Sequence, residues 1–335
     1  MKILIPDAQF TGAPDIEAEV LGFSVEILVA TPDRTNEIAA ETWASADVII
    51  CYHHLQVDER LLDKAPLLRQ IVRAGVGYDN VDARAAAARG IAVCNVPDYG
   101  TLEVADHAIA LMLSLARGTA CYAGSVFERG QAGWDYGVGR TVRRLREMTF
   151  AALGLGPIGL AAAMRAKAFG MKVVFHDPFV ATGLEASLGI ERVTSFEALV
   201  DNADVLNICA ALTPQTRHLV NADALSRMAG GAFVINTSRG GIVDTSALLE
   251  AIRTGHIAGA GLDVLPDEDD IERDPLVAAW RAGDSALAGR VLVTPHAAWY
   301  SPSSTRDLRR KSAEVARDFL LQGTVRNCVN GVRPK

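Results

Sequence analysis

Short apolar runs alternate with polar segments of helical periodicity through the first hundred residues. Residues 34–44, 58–64 and 82–89 have helical periodicity, and Asp82 is a candidate N-cap for the last of these helices. Strands that alternate with helices indicate a parallel, doubly wound sheet. The apolar runs predict strands at 2–5, 25–29, 48–52, 68–73 and 91–95.

A long helix and a second series of strands follow. Residues 101–117 are apolar nearly all round, which predicts a buried helix. The final amphipathic helix, 303–321, has no strand left to pair with in the second series, so we expect it to return to the first domain. The first domain is then discontinuous, 1–98 and 296–335, and the second covers 99–295. The second series is predicted to contain strands at 150–153, 172–176, 205–209, 232–236, 258–262 and 291–293, with helices including 160–170, 195–201, 222–228 and 246–254.

The turn that opens the second series has the spacing G-x-G-x-x-G, in the stretch AALGLGPIG at 151–159. Gly154 allows a tight turn, Gly156 lets the backbone approach a pyrophosphate, and Gly159 lets the new helix pack against its strand. The phosphates would sit at the helix N-terminus, beside Pro157 and Ile158, where free N–H groups favour an anion. An ordinary turn between a strand and a helix is the alternative.

Asp177 follows the next predicted strand, 18 residues after Gly159, where a ribose-binding acid belongs. Its carboxylate would accept hydrogen bonds from both ribose hydroxyls and would repel a 2′-phosphate. The sequence therefore predicts NAD(H) rather than NADP(H) as the cofactor.

Composition narrows the possible partners. The 335 residues suggest two domains, and 33 basic against 40 acidic residues give a net charge of -7. No long basic run is present, so we expect no nucleic-acid partner, and no stretch approaches the length of an apolar membrane span. The five scattered cysteines have no metal-ligand spacing, so we predict no metal site and a reducing, cytoplasmic environment.

Three polar stretches follow successive strands of the second series. They contain Arg239, the acids Asp267, Glu268 and Asp269, and His296. Taken singly, these residues are explained as a helix-capping arginine, a solvated acidic loop and a core histidine. Because ligands bind at the carboxyl ends of strands in an open α/β sheet, their joint occurrence behind a dinucleotide motif predicts an active site. The stretches are 236–241, 261–268 and 294–299.

The motifs GLGPIG, HDP, NTSRGGIVD, AGLDV and TPHAAW occur in the order typical of one enzyme family. The chain resembles the D-isomer-specific 2-hydroxyacid dehydrogenases over nearly its whole length. HAAWYS, NCVN at 327–330, VRAGVGYDN at 72–80 and CNVP at 94–97 look most like the branch of the C-terminal-binding proteins. The resemblance implies a Rossmann-type cofactor domain and a flavodoxin-like substrate domain with a cleft between them.

The resemblance also implies roles for individual residues. Arg239 would hold the substrate carboxylate and keto oxygen, His296 would be the general acid/base, and Glu268 would be its carboxylate partner. The other residues expected to contact the substrate are Tyr52, Arg73, Trp299 and, through their backbone N–H groups, Gly75, Val76 and Gly77. The other residues expected to contact the cofactor are Cys209, Thr237 and Asp263.

Elementary chemistry is consistent with these roles. Reduction of a 2-keto acid needs a hydride at the carbonyl carbon and a proton on its oxygen, which a histidine can donate near neutral pH. A neighbouring carboxylate favours the imidazolium and orients its ring. An arginine fork matches a carboxylate through two hydrogen bonds. A five-residue step from Asp263 selects Glu268, with Asp267 and Asp269 as close competitors.

The expected function is therefore NAD-dependent reduction of a small 2-keto acid, or oxidation of the matching 2-hydroxy acid, by a homodimer. Residues 130–147, with Trp134 and Tyr136, are expected to form an excursion or subunit contact. One alternative is an NAD(H)-sensing protein that binds peptides, as in the C-terminal-binding-protein branch. Another is oxidation of a small anion such as phosphite or formate. Residues 271–290, with Trp280, are expected to form a loop longer than is usual in the resembled family, and the role of this loop stays open.

Overall fold

The computed structural model describes residues 1–333, and the chain divides into two compact units. Unit one contains residues 1–100 and the described residues from Tyr300 onward, and unit two contains Thr101–Trp299. Each unit is built on a parallel β-sheet. The predicted α/β class is confirmed.

Unit one contains a five-stranded sheet in the order β2-β1-β3-β4-β5. This is the flavodoxin-like order, which follows from right-handed crossovers on both sides of the first strand. The inner strands β3 and β4 and the edge strand β5 are buried along their whole length, as sheets covered on both faces require. The strands are β1 (Lys2–Ile5), β2 (Glu26–Val29), β3 (Val48–Cys51), β4 (Gln70–Arg73) and β5 (Ala92–Asn95), with helices α1 (Asp15–Leu21), α2 (Ala40–Ala44), α3 (Glu59–Lys64) and α4 (Ala83–Ala88).

The C-terminal helix, Pro302–Gln322, belongs to unit one, where it packs on α1. It begins with a capping box at Ser301 and ends at Gly323 in the left-handed conformation. The buried Glu17 carboxylate of α1 accepts from Arg309 of this helix at 2.6 Å and 2.9 Å. The helix predicted at 34–44 is instead divided into a 3₁₀ turn, Pro32–Glu37, and α2.

Unit two contains a seven-stranded sheet in the order β12-β11-β10-β9-β6-β7-β8. The order reverses between β6 and β9, which is the switch point where open α/β sheets bind ligands. The six predicted strands are present, and the two-residue β8 extends the sheet beyond the prediction. The strands are β6 (Thr149–Leu153), β7 (Lys172–His176), β8 (Glu191–Arg192), β9 (Val205–Ile208), β10 (Ala232–Asn236), β11 (Ile257–Leu262) and β12 (Val291–Val293).

The helices of unit two form apolar layers on its sheet. Residues 271–290 are not an open loop, because they contain α12, whose Leu276 and Val277 lie in the core. Residues 130–147 contain short 3₁₀ helices, of which Gly130–Gly133 packs on α6. The helices are α5 (Thr101–Ala116), α6 (Thr119–Arg129), α7 (Pro157–Ala168), α8 (Leu184–Leu188), α9 (Phe196–Val200), α10 (Ala222–Arg227), α11 (Thr245–Arg253) and α12 (Pro275–Arg281).

Within residues 1–333, no single helix has the length and apolar composition needed to cross a membrane. One pair, Thr101–Ala116 with Thr119–Gly133, meets the criterion together, but it is bent by 60° at the break.

Candidate active site

The glycine turn of unit two connects β6 to α7. Gly154 has φ of 90°, and a Cβ there would lie 3.0 Å from the backbone of Cys209 and Ala210. A Cβ on Gly159 would lie 2.2 Å from the Gly154 carbonyl oxygen, so only glycine allows the helix to pack this closely. At Gly156 a Cβ would meet no atom within 4 Å, so the turn has open space there. This arrangement fits a pyrophosphate at the start of α7.

Asp177 follows β7 and turns its carboxylate towards the same turn. Its Oδ2 accepts from the Leu155 backbone N–H at 2.8 Å, and its Oδ1 accepts from Phe179 N–H at 2.8 Å. The residue is half-buried, so part of the carboxylate remains accessible beside the turn. A carboxylate at this place has free lone pairs for ribose hydroxyls.

Two further predicted cofactor residues also lie at the ends of strands of unit two. A Cβ on Gly159 would lie 3.3 Å from the Cys209 Cβ, so Cys209 borders the turn. Burial raises the pKa of the Cys209 thiol to about 12, and a hydrogen bond from Asn207 opposes this shift. The Thr237 hydroxyl is buried and has no hydrogen-bond partner among residues 1–333. A buried orphan hydroxyl fits a site that accommodates a polar ligand.

Arg239 lies on a turn that Asn236 organises. The Asn236 side chain accepts from Ser238 N–H at 3.0 Å and donates to the Arg239 carbonyl at 3.0 Å. At the adjacent Gly240, a Cβ would lie 1.9 Å from the Leu265 carbonyl carbon. The turn of Arg239 is therefore pressed against the segment that leads to Glu268.

His296 and Glu268 form the closest acid–base pair of the site. The His296 Nδ1 lies 2.7 Å from Glu268 Oε2, and the two side chains are 26% and 36% exposed. An ionised carboxylate only accepts, so the His296 Nδ1 carries the proton of this hydrogen bond. The competitor Asp267 instead accepts from Asp269 N–H at 3.1 Å within its own turn. The structure thus pairs His296 with Glu268.

The loop that carries His296 is held by Asp263. His296 has φ of 51°, in the left-handed region that non-glycine residues adopt only under constraint. The Asp263 carboxylate is buried and accepts from the N–H groups of Ala297 and Ala298, each at 2.9 Å. The structure gives Asp263 a role in holding this loop, and its expected contact with the cofactor stays a prediction.

Unit one brings Tyr52, Arg73 and the loop 75–77 together through asparagines that the sequence analysis did not single out. Asn80 donates to the Tyr52 carbonyl at 2.8 Å and accepts from Arg73 Nε at 3.4 Å. Gly75 has φ of 145°, and the Arg73 guanidinium occupies the place where a side chain on Gly75 would lie. Asn95, the last residue of β5, donates to the Val76 carbonyl at 2.7 Å.

The Tyr52 side chain is buried within the protein, at 3% exposure. Burial raises the pKa of its hydroxyl, and the nearby Glu17 carboxylate acts in the same direction. Asp7 fixes the backbone on either side of this loop, because its carboxylate accepts from Tyr52 N–H and Leu55 N–H at 2.9 Å each. Burial raises the pKa of Asp7 despite these hydrogen bonds.

Several positioning residues were missed because their signal is weak in a sequence. Asn95 and Asn236 lie in the motifs CNVP and NTSRGGIVD and each ends a buried strand, where a buried amide must be hydrogen-bonded. Trp299 is half-buried and belongs to unit two, whereas Tyr52 and Arg73 belong to unit one. Within the described chain, no group of three or more His, Cys, Asp or Glu side chains is arranged to hold a metal ion.

Comparison with known proteins gives one family. Residues 109–298 match the family description "D-isomer specific 2-hydroxyacid dehydrogenase, NAD binding domain". C-terminal-binding protein 1 of Caenorhabditis elegans is 32% identical over 96% of this chain, and D-3-phosphoglycerate dehydrogenase of Methanocaldococcus jannaschii is 33% identical over 98%. The chain spans 42% and 59% of those two relatives, less than two thirds of either. A crystal structure of Aquifex aeolicus D-lactate dehydrogenase with NAD and lactic acid superposes with a TM-score of 0.82, at 28% identity and 99% coverage of both chains.

Proposed function

The chain belongs to the D-isomer-specific 2-hydroxyacid dehydrogenase family, and from that premise we propose that it is an NAD(H)-dependent reductase of a small 2-keto acid. The observation that carries the proposal is the 2.7 Å contact between His296 Nδ1 and Glu268 Oε2. This pair lies in unit two, which also contains the glycine turn with open space at Gly156. The turn that carries Arg239 packs against the segment that leads to Glu268.

The residues of unit two fit a dinucleotide. Gly154, Gly156, Pro157, Ile158 and Gly159 would hold the pyrophosphate, because α7 begins there with its free N–H groups. A dinucleotide held by these residues would supply hydride transfer to the carbonyl carbon of the keto acid, or from the same carbon of the hydroxy acid. The remaining proposed contacts with the cofactor come from Asp177 at the ribose and from Cys209, Thr237 and Asp263 near the nicotinamide.

His296 would hold the proton that the keto oxygen receives. Its Nδ1 is engaged by Glu268, so Nε2 is the nitrogen from which a proton can leave. The contact with the Glu268 carboxylate holds the ring, and the protonated ring is the form that would donate. In the opposite direction, the neutral ring accepts the hydroxyl proton at the same Nε2.

Arg239 would bind the carboxylate of the keto acid. Its guanidinium donates to the Ser238 carbonyl through Nη1, at 2.9 Å, which holds the side chain against its own turn. A guanidinium fork matches a carboxylate through two hydrogen bonds. Among the other residues proposed to contact substrate are Arg73 and the N–H groups of Gly75, Val76 and Gly77 in unit one, whose loop Asn95 holds. Tyr52 and Trp299 would contact the substrate side chain.

The experiment is an NADH-oxidation assay with a panel of 2-keto acids of increasing side-chain size. We expect turnover with at least one of them, with a D-2-hydroxy acid as the product, and NADH preferred over NADPH. A protein that binds NADH but reduces no 2-keto acid would contradict the proposal.

A second candidate function is NAD(H)-dependent binding of peptides. The identity of 32% to a C-terminal-binding protein over 96% of this chain favours it. The paired His296 and Glu268 distinguish the two, because a binding protein has no need of an oriented acid. If the protein binds NADH but reduces no 2-keto acid, the second function is favoured.

We also propose a homodimer that uses α6 and residues 130–147. Phe127, Trp134 and Tyr136 are 91%, 77% and 91% exposed there. Large apolar side chains at such exposure are typical of contact surfaces. A second copy of the chain would bury them in a two-fold interface, which is the commonest closed assembly.

A further inference from the structure

We propose that His107 is a positioning residue that acts on His296 through Thr294 and Asp263. The proposal rests on the proposed function, because it concerns how the acid of that site is held. None of the sequence motifs includes His107, which lies on the second turn of α5.

A continuous chain of contacts connects His107 with the loop that carries His296. The His107 Nε2 lies 3.0 Å from Thr294 Oγ1, and Thr294 Oγ1 lies 2.5 Å from Asp263 Oδ1. The direction of these hydrogen bonds follows from their chemistry. The carboxylate can only accept, so the Thr294 hydroxyl donates to it, and Thr294 must then accept from an Nε2–H of His107.

The other end of the chain fixes the backbone of His296. Asp263 accepts from Ala297 N–H and Ala298 N–H through its carboxylate, and from His296 N–H at 2.8 Å through its carbonyl. The φ of His296, 51°, persists only while its surroundings impose it. The Asp263 carboxylate therefore holds the backbone from which the imidazole of His296 projects.

His107 determines the state of the link at Thr294. The Thr294 hydroxyl has one proton and can rotate. Because the N–H of His107 donates to the hydroxyl oxygen, the hydroxyl proton cannot point to His107 and points to the Asp263 carboxylate instead. The side chain of Asp263 is 1% exposed, so protein groups must donate the hydrogen bonds that its oxygens accept, and His107 Nε2 lies 3.7 Å from Oδ1. Loss of this donor frees the hydroxyl and loosens the loop without removing any group that touches substrate or cofactor.

The test compares loss and rescue variants at both ends of the link. His107→Phe and Thr294→Val remove the hydrogen bonds, whereas His107→Gln and Thr294→Ser keep a donor or a hydroxyl. We expect each loss variant to lower kcat about tenfold, because catalysis is sensitive to small misplacements of an acid, with keto-acid KM and NADH Kd nearly unchanged. The rescue variants should recover most of kcat.

A double-mutant cycle distinguishes one chain of contacts from two separate effects. If His107 acts through Thr294, the variant with both losses should be about tenfold slower than wild type rather than about a hundredfold. The matched control is His256→Phe, which replaces a half-buried histidine of the same unit whose Nε2 lies 3.0 Å from the Leu225 carbonyl oxygen. It should turn over like wild type.

Amide hydrogen exchange tests the contact chain without turnover. In both loss variants, exchange at Ala297 and Ala298 should be about tenfold faster, while exchange in β10 stays at its wild-type rate. Three results would overturn the proposal. They are losses of kcat that multiply in the double variant, an equal loss of kcat in His256→Phe, and unchanged amide exchange at Ala297 and Ala298. If the wild type has no reductase activity, the proposed function is contradicted instead. The role of His107 in holding the loop is then tested by the exchange measurement alone.

Discussion

Replacement of Gly156 by alanine separates cofactor binding from folding. Gly156 has φ of -64° and ψ of -176°, which alanine adopts without strain, and its Cβ would meet no atom within 4 Å. The folded chain should therefore accept the methyl group. Because alanine restricts the unfolded chain, the variant should be more stable by about 0.4–1 kcal/mol, which raises Tm by roughly 1–4 °C.

The same methyl group should weaken NADH binding. It fills the space through which a pyrophosphate approaches the backbone at the start of α7. Loss of one hydrogen bond between a backbone N–H and a charged phosphate costs about 1.5–3 kcal/mol, which raises Kd roughly 10- to 150-fold. Titration calorimetry with NADH and thermal unfolding without cofactor measure the two effects on the same protein.

Gly159→Ala is the matched control on the same turn. Its Cβ would lie 2.2 Å from the Gly154 carbonyl oxygen, so the backbone of the turn must move. We expect a loss of about 1–3 kcal/mol of folding free energy, in contrast to the gain at Gly156. Unchanged NADH affinity in Gly156→Ala would refute the assignment of the turn to the cofactor, and unfolding of that variant would refute the geometry.

Three further predictions concern the cofactor, the thiols and the assembly. Asp177→Ala should weaken NADH binding by roughly 2–4 kcal/mol and reduce the discrimination against NADPH, which calorimetry with both cofactors measures; equal NADH affinity would show that the acid is not at the ribose. Burial raises the pKa values of the Cys94 and Cys209 thiols to about 12. Iodoacetamide at neutral pH should therefore label these two residues roughly a thousandfold more slowly than free cysteine. Mass spectrometry measures the labelling, and rapid labelling of the native protein would contradict this prediction. Light scattering should give the mass of two chains, and Trp134→Glu should lower it to that of one; a wild-type mass of one chain would exclude the dimer.

The periodicity of apolar residues was sufficient to predict most of the fold. The strands of both units, the N-cap at Asp82 and the return of the C-terminal helix follow from local patterns. The two-residue β8 was missed because its Glu191 and Arg192 have no apolar period. Helix α12 was missed because its acidic surroundings resemble a loop, although Leu276 and Val277 pack into the core.

The chemistry of the candidate site was partly readable from residue types. Glycines, a histidine and an acid at strand ends have few structural explanations when they occur together. The five-residue step from Asp263 predicted Glu268 as the partner of His296, but residue types alone left Asp267 and Asp269 as competitors, because adjacent acids in a loop differ only in the direction of their side chains. The same holds for His107 and Thr294, which are 187 positions apart in the chain and meet only in the fold.

Steady-state reduction of a 2-keto acid by wild type, His296→Ala and Glu268→Gln tests the proposed function most directly. We predict that wild type turns over, that His296→Ala lowers kcat roughly 10²- to 10⁴-fold with NADH affinity unchanged, and that Glu268→Gln gives an intermediate loss. Full reductase activity in His296→Ala would contradict the role of His296 as the general acid.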